Sequence, residues 1–408
     1  MSLQERVSLV TCTPSTEDAE VMRRTQQAIE QLGDYGRGLR NARKIAVKIN
    51  AGVRRVILTE GKQTELTEPA VVEGVVRAIR EVTQAEIVIG DAPTDSNADL
   101  LYPELGLPER LAKYPNVRLL DFNVVERVEV PMTHPHALFR RYTLPRELAD
   151  ADAFVSVAKM KAHSSMGCTL CIKNLFGWIP TAVYGNPRLY LHDRLIRLPR
   201  VLLDLASWTR PCLNVVDGIV AANKSEWHGT PLLPGVILAG TNIVATDSVG
   251  MRVMGFDPGG DYPQHPFFYR RNVTLLAAEA GLGSNQADQI EVIGPTPESV
   301  CIPFQVERYR GNTDRDNQIR RGAACVARYR EQQETLARRY RDCYLALRDD
   351  EIVWEGPDMQ TILRQEWESD LDWRNVPQFV VRCLPPEEEI EQMDWYTAEA
   401  ERLPAASV

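Results

Sequence analysis

Seven short runs dominated by apolar residues place the strongest constraint on how this chain can fold. They are Lys44–Ile49 (KIAVKI), Glu86–Ile89, Val117–Leu120, Ala153–Val157, Leu213–Val216, Val236–Ala239 and Ile290–Ile293. Most are near-continuously apolar, as strands covered on both faces must be. Helical patterns lie between them. In Glu68–Val82, for example, apolar residues recur at helical spacing behind Pro69, which suits a first helical position. Strand, helix, strand alternation predicts an α/β fold built on a doubly wound, mostly parallel sheet.

With 408 residues the chain is long enough for more than one domain and for a large core without staples. A content of 44% hydrophobic and 25% charged residues excludes global disorder. Lys and Arg number 47 against 56 Asp and Glu, a net charge of −9, which argues against a general nucleic-acid binder. No apolar run reaches the roughly 18 residues of a membrane span. The N-terminal MSLQERVSLV lacks the pattern of a signal peptide, so a cytoplasmic protein is expected. The eight cysteines are scattered rather than framed as disulfides, which agrees with a reducing compartment.

The composition changes near residue 300. Gln305–Asp342 holds ten Arg and no Lys against six acids, and Val326, Tyr329, Leu336 and Tyr340 recur at helical spacing. An amphipathic helix with a wet, Arg-rich face follows. Next, Tyr344–Leu347 and Ile352–Trp354 flank an acidic turn, a helix follows from Pro357, and Gln378–Cys383 alternates like a strand. The expected organisation is an α/β domain over 1–300, a helical arm over 301–343, and a small ββαβ module with an acidic tail over 344–408. The tail after Pro385 carries seven acids to one Arg and is expected on the arm or in solvent. An open hairpin edge makes a homo-oligomer plausible.

Polar residues cluster where the predicted strands end. KIAVKI runs into Lys48 and Asn50, and Glu86–Ile89 is followed by Asp91. Ala153–Val157 leads to Lys159, Lys161 and His163, and Leu213–Val216 to Asp217. Val236–Ala239 precedes Asp247. Ligands of open α/β sheets sit outside the carboxyl ends of the strands, so these residues predict one shared cleft. The acids Asp91, Asp217 and Asp247 suit either Mg²⁺ or ion pairs with Lys48, Lys161 and Lys173, and pairing is the simpler reading because the lysines are at hand. His228 lies in the loop after the Asp217 strand and can reach the same cleft.

The densest stretch is Lys159–Gly177, KMKAHSSMGCTLCIKNLFG, with three Lys, one His, two Cys and one Asn. Cations in a partly desolvated pocket attract a carboxylate or phosphate and acquire depressed pKa values. His163 titrates naturally near neutrality, which suits acid/base work, although a core or capping histidine is the ordinary alternative. Ser164-Ser165 reads as a helix start whose free N–H groups suit an anion. Cys168 and Cys171 have the C-x-x-C spacing of redox and metal sites. Equally, they read as two core thiols on one helix face.

Lys44–Gly294 resembles the proteins of domain of unknown function 362, some of which are fused to iron–sulfur ferredoxin modules. The matching pieces include Val47-Lys48-Ile49-Asn50, Gly90-Asp91-Ala92-Pro93, Lys159-Met160-Lys161-Ala162-His163, Lys173-Asn174-Leu175-Phe176-Gly177, Val216-Asp217-Gly218-Ile219-Val220 and Ala245-Thr246-Asp247. The family name implies no reaction. Members often carry a Glu followed by glycines where this chain has Asn223-Lys224-Ser225-Glu226. No ferredoxin module is present, so a redox partner would be separate. A fainter similarity reaches the N-terminal domain of nickel-dependent lactate racemase, whose His-x₃-Gly-x₅-Lys pattern is matched by His163, Gly167 and Lys173. That resemblance implies acid/base work by His163 and a cofactor at Lys173.

The leading expectation is an enzyme that binds a small anionic substrate, with His163, Lys161 and Lys173 as the chemical groups. Lys48, Asn50, Asp91, Lys159, Asn174, Asp217, His228 and Asp247 would line the site. Proton transfer next to a carbonyl is the expected class, as in isomerases, epimerases and lyases. The alternatives are a metal or iron–sulfur protein using Cys168 and Cys171, and a non-catalytic scaffold.

Overall fold

The structure is a computed structural model that describes residues 5–94, 98–186, 188–192, 195–307, 314–369 and 379–404. The chain divides into two compact units: 1–130, 143–180 and 205–309 form the first, and 131–142, 181–204 and 310–408 the second. The second unit therefore takes in two segments, 131–142 and 181–204, which the alternating pattern assigns to the α/β domain. Among the described residues no helix is long and apolar enough to cross a membrane.

The first unit is mixed α/β around one large sheet. Its strands are β1 (Glu5–Thr11), β2 (Lys44–Ile49), β3 (Glu86–Asp91), β4 (Val117–Asp121), β5 (Ala153–His163), β6 (Gly167–Thr169), β7 (Leu213–Asn223), β8 (Thr230–Leu232), β9 (Val236–Gly240) and β10 (Ile290–Ile293). The order is β10-β1-β9-β7-β5-β2-β3-β4, with β6 added to β5 and β8 to β7. Along this path β9 alone runs against its neighbours.

Both faces of the sheet are covered. On one face, α1 (Asp18–Glu30) and α2 (Pro69–Val82) join a core with Ile45, Val47 and Ile49 of β2, Val155 and Val157 of β5, and Ile237 and Ala239 of β9. On the other, the short helix α3 (Cys171–Asn174) packs on β5, and α4 (Ile243–Val253) packs on β7, β9 and β1. A Cβ on Gly240 would strike Thr246 of α4, while Ile237 and Ala239 face α1, so the pleat separates the two layers. Burial on both sides is why these strands read as continuous apolar runs. Each helix start has a local cause. Pro69 opens α2 with its fixed φ and its missing donor. The Asn242 side chain accepts from the Val244 and Ala245 N–H groups at the head of α4.

The second unit contains α5 (Arg315–Tyr340), then β11 (Tyr344–Arg348), β12 (Glu351–Gly356), α6 (Met359–Glu368) and β13 (Phe379–Arg382). The three strands form an antiparallel sheet in the order β12-β11-β13, so the ββαβ expectation is met. Gln378, placed at the start of the third strand by sequence, lies outside the described residues. Tail acids do meet the arm: Arg341 pairs with Glu388 at 2.5 Å, and Arg330 pairs with Asp394. These exposed pairs add little stability each. Arg197 and Glu391, both buried and 2.7 Å apart, are the stronger tie within the unit.

Candidate active site

Strand β5 runs six residues past its apolar core, so Lys159, Lys161 and His163 lie on the strand and not in a loop beyond it. Their spacing of two, with Met160 and Ala162 between them, is the alternation of a strand, and all three project from the same face. That face is shared with Val155 and Val157, beside α1 and α2. All three polar residues are buried. β7 is extended in the same way and carries Asp217 as the register partner of Lys159.

Lys159 is paired. Its Nζ lies 3.0 Å from Asp217 Oδ2, both side chains are excluded from solvent, and Asp217 also accepts from the Glu68 and Ile219 N–H groups. Lys48 is paired too, on the opposite face. It is the register partner of Ser156, and its Nζ lies 2.9 Å from Asp91 Oδ2. Asp91 is held in turn by the Ala51 and Ala92 N–H groups. Lys48 also donates to Asn174 Oδ1, and Asn174 Nδ2 donates to the Lys48 carbonyl and to Ser156 Oγ. Asn50, at the end of β2, joins the two faces: its Nδ2 donates to Asn174 Oδ1 at 3.4 Å, and its Oδ1 accepts from Lys161 Nζ at 3.0 Å.

Lys161 differs from its neighbours. Among the described residues no carboxylate lies within ion-pair distance of it. Its Nζ donates to two neutral oxygens, Asn50 Oδ1 and the Glu65 main-chain carbonyl, each at 3.0 Å. The Trp227 ring centre stands 3.9 Å away on the remaining side. Burial therefore dominates, and it lowers the ammonium pKa to about 7 against the attraction of Glu226 and Glu65, with Lys173 adding to the depression.

The consequence for stability has a definite sign. The folded-state value lies below the unfolded one, near 10.4. The cost of holding the ammonium is thus fully present below about pH 7 and fades as the pH rises toward 10. Lys161→Met is expected to stabilise the protein at pH 6 by on the order of 2 kcal/mol, with the gain shrinking by pH 10. Urea titrations at the two pH values check this, and a gain that does not depend on pH would contradict it.

His163 is fixed in one tautomer. Its Nδ1 accepts from the Ser165 and Met166 N–H groups at 3.2 and 3.3 Å, so the ring proton is on Nε2, which faces Glu226 Oε1 at 3.5 Å. Burial holds the imidazole neutral, well below its ordinary pKa. Lys173, Lys161 and Arg270 push the same way, against the pull of Glu226. Burial alone would raise the Glu226 carboxyl, but the Ser164 N–H and Lys173 hold it below the usual carboxylate range. Ser164–Met166 form the turn between β5 and β6 rather than a helix start. Their N–H groups serve His163 and Glu226, the latter accepting from Ser164 N at 3.1 Å.

Other expected site residues surround this strand. Lys173 is half-buried on α3, with its Nζ 4.9 Å from the Phe176 ring centre, and its charge acts on Lys161, His163 and Glu226. Asp247, on α4, receives the Cys171 and Ile172 N–H groups at 2.7 and 2.8 Å, so it holds the start of α3 and pairs with no lysine of the cluster. Burial raises its carboxyl to about 7. The His228 ring contacts Arg55 and is exposed, while its N–H donates to Glu65 Oε1 at 2.7 Å; it borders the cluster through Glu65.

Cys168, on β6, and Cys171, opening α3, are both buried, and burial pushes both thiols far above their ordinary pKa. Cys171 Sγ donates to the Val215 carbonyl. Among the described residues no three His, Cys, Asp or Glu side chains converge as metal ligands.

Sequence reasoning missed Glu226, Trp227 and Glu65. Glu226 stands out in the sequence only as the point where the glycines usual in the resembling family are absent. Trp227 and His228 share its loop. Glu65 contributes through its main-chain oxygen, which leaves no mark in the sequence.

Residues 45–252 match the family described as "Domain of unknown function (DUF362)", and the chain belongs to that family. It is also 24% identical over 297 residues to a thylakoid-associated protein of Synechocystis, a match covering 72% of this chain and 82% of that one. A crystal structure of a protein from Thermotoga maritima is similar with a TM-score of 0.32 at 13% identity, spanning 57% of each chain. The similarity to lactate racemase suggested by His163, Gly167 and Lys173 is not shown by these comparisons.

Proposed function

We propose that this member of the domain of unknown function 362 family is an enzyme that moves a proton next to the carbonyl of a small anionic substrate. Isomerisation, epimerisation and lyase chemistry all belong to that class. One observation carries the reading: Lys161 is a buried lysine with neutral hydrogen-bond partners, two residues along the strand from a neutral His163 whose Nε2–H faces Glu226. A structural lysine in such a place is normally given a carboxylate, as Lys48 and Lys159 are. A lysine left without one has a pKa near the working pH, which suits proton transfer. His163 supplies a hydrogen bond from Nε2 to a substrate oxygen, and Lys173 supplies charge for a carboxylate or phosphate.

Deuterium uptake tests this whatever the product is. The protein is incubated in D₂O with small 2-oxo acids, 2-hydroxy acids and their phosphate esters, and exchange at carbon is read by NMR. Exchange is expected for at least one class of compound. It should fall by about a hundredfold or more in Lys161→Met and in His163→Ala. Folding of both variants is checked by circular dichroism. Exchange that persists unchanged in both variants would remove the proposal.

A further inference from the structure

The contrast among three of the buried lysines carries a more specific conclusion. Lys48 and Lys159 each face an aspartate at 2.9 and 3.0 Å, whereas Lys161 faces an amide oxygen, a main-chain carbonyl and an indole ring. Two acceptors match the two N–H bonds of an unprotonated amine. The third neighbour, the Trp227 ring, is flat and half-buried, with its centre 3.9 Å from Nζ. The ring belongs to the loop 224–229, in which Lys224 and His228 both hold left-handed backbone.

We propose that Lys161 Nζ is a nucleophile that forms an imine with a small 2-oxo acid; the inference rests on the proton-transfer reading and adds the substrate class to it. The amine lone pair attacks the carbonyl carbon, a C–N bond forms, and the π pair moves to oxygen. One amine proton passes to that oxygen. The second follows as the C–O bond breaks, so the oxygen leaves as water and a C=N bond remains. The overall change is condensation, with no oxidation or reduction. In this step His163, whose Nε2–H faces Glu226, turns that donor to the departing oxygen, and Lys173 is the cation available to the carboxylate. Once formed, the imine draws electrons from the neighbouring carbon, and loss of a proton there becomes easy. That step links the nucleophile to the proposed reaction class. The low pKa of the amine agrees with this, because an ammonium cannot attack.

The experiment is reductive trapping on the full chain at pH 7. Pyruvate, glyoxylate, 2-oxobutyrate and 2-oxoglutarate are added in turn with cyanoborohydride, and the modified residue is found by peptide mass mapping. Lys161 is expected to carry the reduced adduct in about tenfold excess over any other lysine, because far more of its amine is unprotonated. Mapping the unmodified protein makes the result independent of whether a variant folds; Lys161→Met then serves as a check. Adducts spread over surface lysines, or none at Lys161 with any of the four acids, would overturn the imine. Deuterium exchange measured alongside separates the two ideas. Exchange without an adduct keeps proton transfer and rejects the imine, an adduct without exchange keeps the imine and rejects proton transfer, and neither signal rejects both.

Discussion

Gly177→Ala is expected to lose about 3–5 kcal/mol of stability, the cost typical of breaking a buried ion pair. Gly177 follows α3 and passes directly over Lys48 and Asp91. A methyl group there would meet Asp91 Oδ1 and both Cε and Nζ of Lys48. None of the three can yield easily. Both side chains are buried, and Asp91 is clamped by the Ala51 and Ala92 N–H groups. The backbone cannot lift away either, because the Gly177 carbonyl accepts from the Ala92 N–H at 3.0 Å. Either the ion pair opens, leaving a buried ammonium and carboxylate apart, or the chain after α3 moves and takes Lys173 and Asn174 with it. Urea unfolding measures the loss. Gly259→Ala is the control, since the nearest atom to a Cβ there is an Asp257 oxygen at 3.4 Å and little change is expected. A cost at Gly177 below about 1 kcal/mol would show that the ion pair tolerates the intrusion.

The same residues show how far the sequence could be read. Strand existence was legible because burial on both faces forces continuous apolar runs, and all seven expected runs are strands. Their C-terminal ends were not legible. In β5 and β7 the polar residues look like loop, yet they continue the strand, because Lys159 is answered by Asp217 across the pair and the backbone ladder is kept. That polar residues gather at the ends of these strands followed from the sequence. The pairing did not: Lys161 reads as a natural partner for an aspartate, and that none stands beside it among the described residues shows only once Asn50 and Glu65 are seen around it. Asp247 reads as a site residue and instead caps α3 from α4. The two segments that join the second unit, 131–142 and 181–204, are held there by partners far along the chain, as Arg197 is by Glu391, and local pattern carries no trace of such contacts.

Asp217→Ala is expected to be as damaging as Gly177→Ala, again about 3–5 kcal/mol, for a different reason. The substitution leaves Lys159 as an uncompensated ammonium with no solvent exposure, and it strips an acceptor from the Glu68 and Ile219 N–H groups. Lys159→Met alone leaves Asp217 with its two amide donors, so it should cost less. The double variant removes both charges and should be milder than the sum of the two single losses by about 2 kcal/mol, the coupling expected of a buried pair. Strict additivity would mean that the two charges do not act as a unit. The pH dependence supplies a second reading. Glu68 lies beside the pair, and its carboxyl is held above its ordinary pKa by burial and by the Asp217 charge, against the pull of Lys159. Removing Asp217 takes away a like charge and leaves Lys159 facing Glu68, so the Glu68 carboxyl should ionise more readily. The Asp217→Ala loss should therefore be larger at pH 5 than at pH 8, because Glu68 answers the lysine only once it is ionised and burial works against that ionisation. A loss equal at both pH values would place Glu68 out of electrical reach of Lys159 and leave the site's balance of charge to Asp217 alone.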